Sequence, residues 1–145
     1  MKVVIQRVRE ASVSVDKEIT GSIKHGFLLY VCFEESDEIE TVEEAVEKII
    51  KLRIFEDHSG KMNLNITQSQ GAILSISQFT LSWDGKKGHR PSFDKSLNPT
   101  QAKIFYRKFN DYLKEKSIPV EMGRFGADMQ VSSINDGPVT FHLSF

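Results

Sequence analysis

Ser77-Gln78-Phe79-Thr80 sets three hydrogen-bonding side chains at the end of an otherwise apolar run, Ala72 to Leu81. Read as a strand, the run puts Gln78 and Thr80 on one face and Ser77 and Phe79 on the other. The grouping suits hydrogen-bonding chemistry at a polar group, although a threonine hydroxyl becomes a nucleophile only beside an activating base. The competing reading is a strand end emerging into solvent. A second cluster is Asn135-Asp136-Gly137-Pro138-Val139-Thr140-Phe141. Asn, Asp and Gly accept left-handed backbone angles. Proline then fixes φ, removes a donor and permits a cis bond at Gly137-Pro138 at about 0.5–1 kcal/mol over trans. A cis bond would turn two carbonyls the same way and give a recognition edge free of side chains. The competing reading here is an ordinary turn between two strands.

Other chemistries lack their residues. His25, His58, His89 and His142 stand at no metal-ligand spacing from another His, Cys or carboxylate, so no metal site is expected. The chain holds neither a G-x-S-x-G elbow nor a G-x-x-x-x-G-K-[ST] phosphate loop. Asp84 and Asp94 flank a basic loop and read as solvated carboxylates. The single cysteine, Cys32, lies inside the apolar run Phe27–Phe33 and reads as a buried, inert thiol. That run is too short to span a bilayer, and charge interrupts the first residues at once, so a cytoplasmic protein without membrane association is expected.

The net charge of −1 conceals an asymmetry. Glu34 to Glu47 holds eight acidic residues and no Lys or Arg, whereas Lys86 to Lys116 holds nine Lys/Arg and three acids. Basic clustering attracts phosphate backbones; the alternative is a pair of solvated helix faces.

The elements that must position these clusters follow from periodicity. Val3–Val8 and Ala11–Val15 alternate as strands, Asp16-Lys17-Glu18 turns the chain, and Ile19–Ile23 and Phe27–Phe33 return it. Ile39, Val42, Val46, Ile49 and Ile50 keep helical spacing, predicting an amphipathic helix from Asp37 to about Leu52. Met62–Ile66 reads as an irregular or edge segment, and Ala72–Leu81 as a strand. Ser82–Leu97 is a long polar loop of the kind that is functional or disordered. Asn98-Pro99 opens a second helix, with Ala102, Phe105, Tyr106, Phe109, Tyr112 and Leu113 as its core stripe. Lys103, Arg107, Lys108 and Lys114 lie mainly off that stripe. Val120–Met122, Asp128–Ile134 and Val139–Phe145 close the chain as strands. Six or seven strands and two helices, with no linker or repeat, predict one α+β domain over residues 1–145.

Taken together, Ser77-Gln78-Phe79-Thr80 and Asn135–Thr140 resemble the two signature motifs of the D-aminoacyl-tRNA deacylases, the D-Tyr-tRNA deacylase family. Gln6-Arg7-Val8, Ala11-Ser12-Val13, Arg53-Ile54-Phe55, Lys61-Met62-Asn63-Leu64, Arg90-Pro91-Ser92-Phe93, Gly123-Arg124-Phe125 and Asp128-Met129-Gln130-Val131 also match, in order. Ser133 departs from the apolar residue expected in its strand. The resemblance implies an antiparallel, β-barrel-like sheet core with two amphipathic helices. It implies a homodimer in which each subunit lends Gly137-Pro138 to the other's pocket, beside Ser77–Thr80. It implies hydrolysis of the ester between a D-amino acid and the terminal adenosine ribose of tRNA, with glycyl-tRNA as a borderline substrate and DNA not expected as a partner. A rigid wall of backbone carbonyls would reject the L enantiomer sterically. Thr80 would act as nucleophile, or the ribose 2′-hydroxyl would assist water while backbone N–H groups at Phe79 and Thr80 stabilise the oxyanion and Ser77 and Gln78 position the ester. The absence of an evident base favours the second. Neither route calls for a metal or organic cofactor. Lys86, Lys87 and Arg90 are the candidate tRNA contacts.

Overall fold

Strand β1 (Lys2–Val15) is the spine of the sheet. Along one edge it pairs antiparallel with β3 (Gly26–Cys32) through Lys2–Val8 and with β2 (Glu18–Ile23) through Ala11–Val15. Along the other edge it pairs antiparallel with β8 (Gln130–Ser144) over nearly its whole length. The hairpin from β1 to β2 turns on Asp16 and Lys17, at φ 52° and 69°. Two successive positive angles match the right-handed twist of the flanking strands. The computed structural model describes residues 1–86 and 88–145.

The expectation of an antiparallel core is corrected beyond β3. The sheet is mixed: β3 pairs parallel with β6 (Ala72–Ser77), and β6 pairs parallel with β7 (Val120–Met122). Parallel neighbours need long crossovers, usually helical, and both crossovers here carry a helix. Helix α1 (Ile39–Lys51) and the short β4–β5 hairpin (Phe55–Glu56, Met62–Leu64) lie between β3 and β6. A 3-10 turn (Phe79–Ser82), the Trp83–Asn98 loop and α2 (Pro99–Glu115) lie between β6 and β7. The order β2-β1-β3-β6-β7 curls until its ends meet. A Cβ on Gly21 of β2 would stand 3.1 Å from the Met122 carbonyl of β7, so glycine suits that close approach and a larger residue would press the two strands apart by a few tenths of an ångström.

Curling divides the apolar residues between two cores. Val8, Ala11, Val13, Ile23, Leu28, Leu74 and Ile76 fill the concave side. Val3, Ile5, Phe27, Leu29, Val31 and Ile73 meet both helices on the convex side. Strand β3 serves both, with Phe27, Leu29 and Val31 facing the helices and Leu28 and Tyr30 the inside. A strand buried on both faces loses its polar alternation, which explains the continuous run Phe27–Phe33.

Helix α1 buries Val42, Ala45, Val46 and Ile49. Helix α2 starts at Asn98, whose Oδ1 accepts the Gln101 N–H at 3.0 Å, with Pro99 at the first helical position. It buries Ala102, Tyr106, Phe109, Asn110 and Leu113. Full burial of a side chain such as Phe109 or Leu113 contributes about 1.5–3 kcal/mol. Tyr106 also donates from its hydroxyl to the Ser75 carbonyl at 2.7 Å, tying α2 to the strand that ends in the Ser77–Thr80 cluster.

Candidate active site

The expected strand Ala72–Leu81 stops at Ser77, and Phe79–Ser82 wind into the 3-10 turn, with the Leu81 N–H bonded to the Gln78 carbonyl at 3.3 Å. The predicted strand alternation therefore ends before Gln78. The first N–H groups of a helical turn have no partner within it. Those of Phe79 and Thr80 meet no acceptor among the described residues. The carbonyl side of the turn is held instead. Ser82 Oγ donates to the Phe79 carbonyl at 2.8 Å, Cys32 Sγ lies 3.5 Å from the same oxygen, and Lys2 Nζ donates to the Leu81 carbonyl at 3.1 Å. The turn is thus braced from behind, and its Phe79 and Thr80 amides meet no acceptor among the described residues.

It stands at a cavity of about 610 Å³. Ser77, Gln78 and Phe79 form one wall, Cys32, Leu97 and Ala102 another, and Phe125–Met129 a third. The lining is mostly apolar with few polar groups, as in sites that orient a ligand by a handful of hydrogen bonds. Phe93, from the long loop, packs edge-on against Phe79 with ring centroids 4.9 Å apart. The Leu97 N–H, which donates to the Phe33 carbonyl at 2.9 Å, joins the loop to the lining, and Lys95 Nζ, which donates to Asp84 at 3.1 Å, closes the loop on itself. The Asp84 carboxyl is lowered by the Lys86 N–H and then by Lys95.

Thr80 is exposed. Its Oγ1 accepts a hydrogen bond from Gln78 Nε2 at 2.7 Å. An amide N–H gives a proton and takes none, so Gln78 orients this hydroxyl without activating it. Cys32 is buried, as its place in the apolar run predicts, and also lines the cavity. Burial, then the neighbouring Glu34 charge, pushes its thiol up to about 11. Iodoacetamide at pH 8 is expected to alkylate Cys32 at least about a hundredfold more slowly in the native protein than in urea, because the thiolate is the reacting form. Native alkylation at the unfolded rate, followed by mass spectrometry, would contradict this placement.

The second cluster is not a turn between strands. Strand β8 runs through it, and the ladder with β1 skips from Gln6–Thr140 to Val8–Asn135, so Asp136–Val139 are ejected as a bulge. The Gly137-Pro138 bond is cis, and both residues are exposed. Three side chains fix the excursion. Asn135 Oδ1 accepts the Val139 N–H at 2.7 Å, and its amide donates to Thr140 Oγ1 at 2.9 Å. Arg9 donates to Asp136 Oδ1 at 2.9 Å. Arg7, 4% exposed, donates from Nε to the Asp136 carbonyl at 3.0 Å and from Nη1 to the Ile54 carbonyl at 2.7 Å. The Arg9 bond, reinforced by the Arg7 charge, holds the Asp136 carboxyl below the usual carboxylate range. Gly137 has φ 137°, and an added Cβ would lie 2.7 Å from Val139 Cγ2.

The structure thus brings Ser77, Gln78 and Phe79 to one cavity with Thr80 at its rim, and leaves Gly137 and Pro138 of the same chain outside its lining. Lys86 and Arg90 are exposed on the loop that carries Phe93; Lys87 lies outside the described residues. Sequence reasoning missed Arg7 as the brace of the bulge. The one available signal was a cation inside the apolar alternation of β1. It also missed Leu97, Ala102 and Met129, whose apolar character is indistinguishable from core.

Comparison with known proteins bears on the family and the fold. A family model described as D-Tyr-tRNA(Tyr) deacylase matches residues 4–144. A protein of Shewanella denitrificans named D-aminoacyl-tRNA deacylase is 52% identical over 143 residues, covering 99% of both chains. One of the same name from Lactobacillus gasseri is also 52% identical with the same coverage. Among solved structures, one titled c-Myc DNA Unwinding Element Binding Protein is 40% identical and superposes with a TM-score of 0.96, covering 100% of this chain and 99% of that one. Another, titled as a probable eukaryotic D-amino acid tRNA deacylase, shares the fold at a TM-score of 0.83 and 16% identity, covering 98% and 97%.

Proposed function

The chain belongs to the D-Tyr-tRNA(Tyr) deacylase family, and from that premise we propose that it hydrolyses the ester joining a D-amino acid to the terminal adenosine of tRNA, a proofreading step in translation. The observation that carries the reading is the placement of Ser77, Gln78 and Phe79 on an apolar cavity, beside a turn whose Phe79 and Thr80 amides meet no acceptor among the described residues. Water attacks the ester carbonyl carbon, the bond to the ribose oxygen breaks, and that oxygen leaves with a proton. Negative charge builds on the carbonyl oxygen, and in this reading the N–H groups of Phe79 and Thr80 receive it. An oxyanion donor of this kind is worth roughly 2.7–4 kcal/mol in the transition state. Ser77 and Gln78 position the ester and amino group. The ribose 2′-hydroxyl assists the water, since the Thr80 oxygen receives its hydrogen bond from an amide and, among the described residues, bonds to no base.

Chirality needs a second surface. The exposed backbone of Gly137-Pro138, braced by Arg7 and Asn135, offers carbonyls without side chains, and it lies outside the cavity of its own chain. In this reading the protein is a homodimer, and Gly137 and Pro138 of the partner subunit stand over Ser77–Thr80. A D side chain then points away from the wall, whereas an L side chain strikes it. Glycine has no side chain to reject, so glycyl-tRNA is the borderline substrate. Lys86 and Arg90 contribute phosphate contacts near the pocket. The working compartment is the cytoplasm. No described helix is long and apolar enough to cross a membrane.

The test is parallel incubation with matched D-, L- and glycine-charged tRNA. Rapid loss of the D ester with the L ester spared is expected, together with dimeric sedimentation. Equal rates on both enantiomers would sink the chirality reading, and a fully active monomer would sink the shared pocket.

A further inference from the structure

Helix α2 begins at the cavity: Asn98, Pro99 and Ala102 belong to its lining. From there the helix runs for 17 residues, Pro99–Glu115. Its buried face is Ala102, Tyr106, Phe109, Asn110 and Leu113. Lys103, Arg107 and Lys114 are exposed. At about 100° per residue these three fall within roughly 40° of arc, one above another, over roughly 16 Å of helix.

Their charges are uncommitted. Lys51 and Lys116 pair with Glu47, and Lys95 pairs with Asp84. Lys103, Arg107 and Lys114 pair with no carboxylate among the described residues. Asp111 lies about 40° round the helix from Arg107 and Glu115 farther round, and neither stands within ion-pair distance of the row among the described residues. A row of cations without carboxylate partners among the described residues, on a helix that starts at a cavity, is complementary to a polyanion whose end occupies that cavity.

We infer that the Lys103–Arg107–Lys114 row of α2 is the track for the phosphate backbone of the tRNA acceptor stem, with the aminoacylated end in the cavity at the start of the helix. This rests on the deacylase reading for the identity of the RNA, and it names a surface apart from the Lys86–Arg90 loop. The row sets affinity for the stem and leaves the chemical step untouched. Each phosphate contact contributes roughly 0.7–0.9 to the slope of log K against log salt.

The experiment compares wild type with K103A/R107A/K114A and with K17A/K24A/K48A, which removes three exposed lysines elsewhere. Uncharged tRNA is titrated against each protein from about 50 to 200 mM salt. The α2 variant should lose about two from the salt slope, and the control variant should keep the wild-type slope. On D-aminoacyl-tRNA, kcat/KM of the α2 variant should fall at least about tenfold with kcat at saturation unchanged, while hydrolysis of a D-aminoacyl adenosine lacking the stem stays at the wild-type rate. An α2 variant with the control's slope, or with equal losses on both substrates, overturns the proposal. If wild type hydrolyses neither substrate, the deacylase reading fails, while the tRNA titration still decides whether α2 binds the backbone.

Discussion

Replacing the 2′-hydroxyl of the terminal adenosine by hydrogen slows hydrolysis of the D-aminoacyl ester by about 10²–10⁴-fold, the range that a positioned proton-transfer group contributes, whereas Thr80→Ala slows the normal substrate by no more than about tenfold. The contrast follows from the hydrogen bond at Thr80. Its Oγ1 accepts from Gln78 Nε2 at 2.7 Å, so losing the hydroxyl costs one neutral hydrogen bond, about 0.5–1.5 kcal/mol. A nucleophile could not be removed so cheaply, because the covalent intermediate would vanish with it. The measurement is single-turnover hydrolysis of both substrates by both proteins. Inactive Thr80→Ala together with full activity on the 2′-deoxy ester would make Thr80 the nucleophile and end the substrate-assisted reading.

The parts of this arrangement legible in the sequence are those governed by local pattern. Period-two alternation located β1, and helical spacing located α1 and α2, with ends within a few residues of those observed. Asn98-Pro99 was read as a helix start because its cap chemistry is local, and Asn98 does cap α2. The parallel pairing of β3 with β6 and of β6 with β7 leaves no such mark, since each partner is brought in across a helical crossover. The Asn135–Pro138 signal predicts a break between strands. Turn chemistry works there inside a ladder, ejecting a bulge while β8 continues on both sides. Ser77–Phe79 stood out because polar residues ended an apolar run, and the structure lines the cavity with them. The opposite walls were silent: Leu97, Ala102 and Met129 differ from core residues only in facing a void.

Arg7→Lys is expected to destabilise the fold by about 1.5–3 kcal/mol, the worth of a hydrogen bond from a charged donor, and to collapse the preference for D over L esters. Arg7 is buried in β1 opposite the bulge, where the ladder skips a residue. Its planar fork reaches two carbonyls in different segments, Asp136 at 3.0 Å and Ile54 at 2.7 Å, with Nη2 3.5 Å from Glu56. An ammonium on a flexible stem is a point charge and does not reproduce that fork. Lysine would keep the charge and lose one carbonyl, and the Asp136 carbonyl is the one next to Gly137. Gly137→Ala disturbs the same excursion from the other side. Its φ of 137° is rarely adopted by a residue with a Cβ, and that atom would crowd Val139 Cγ2 at 2.7 Å. Both variants should raise hydrolysis of L esters relative to D esters, while Arg9→Lys, altering an exposed contact to the Asp136 carboxylate, should leave the ratio near wild type. Stability is read from urea midpoints and selectivity from the ratio of D to L rates. Arg7→Lys and Gly137→Ala proteins that lose stability yet keep the wild-type ratio would show that the bulge braces the sheet and takes no part in reading chirality.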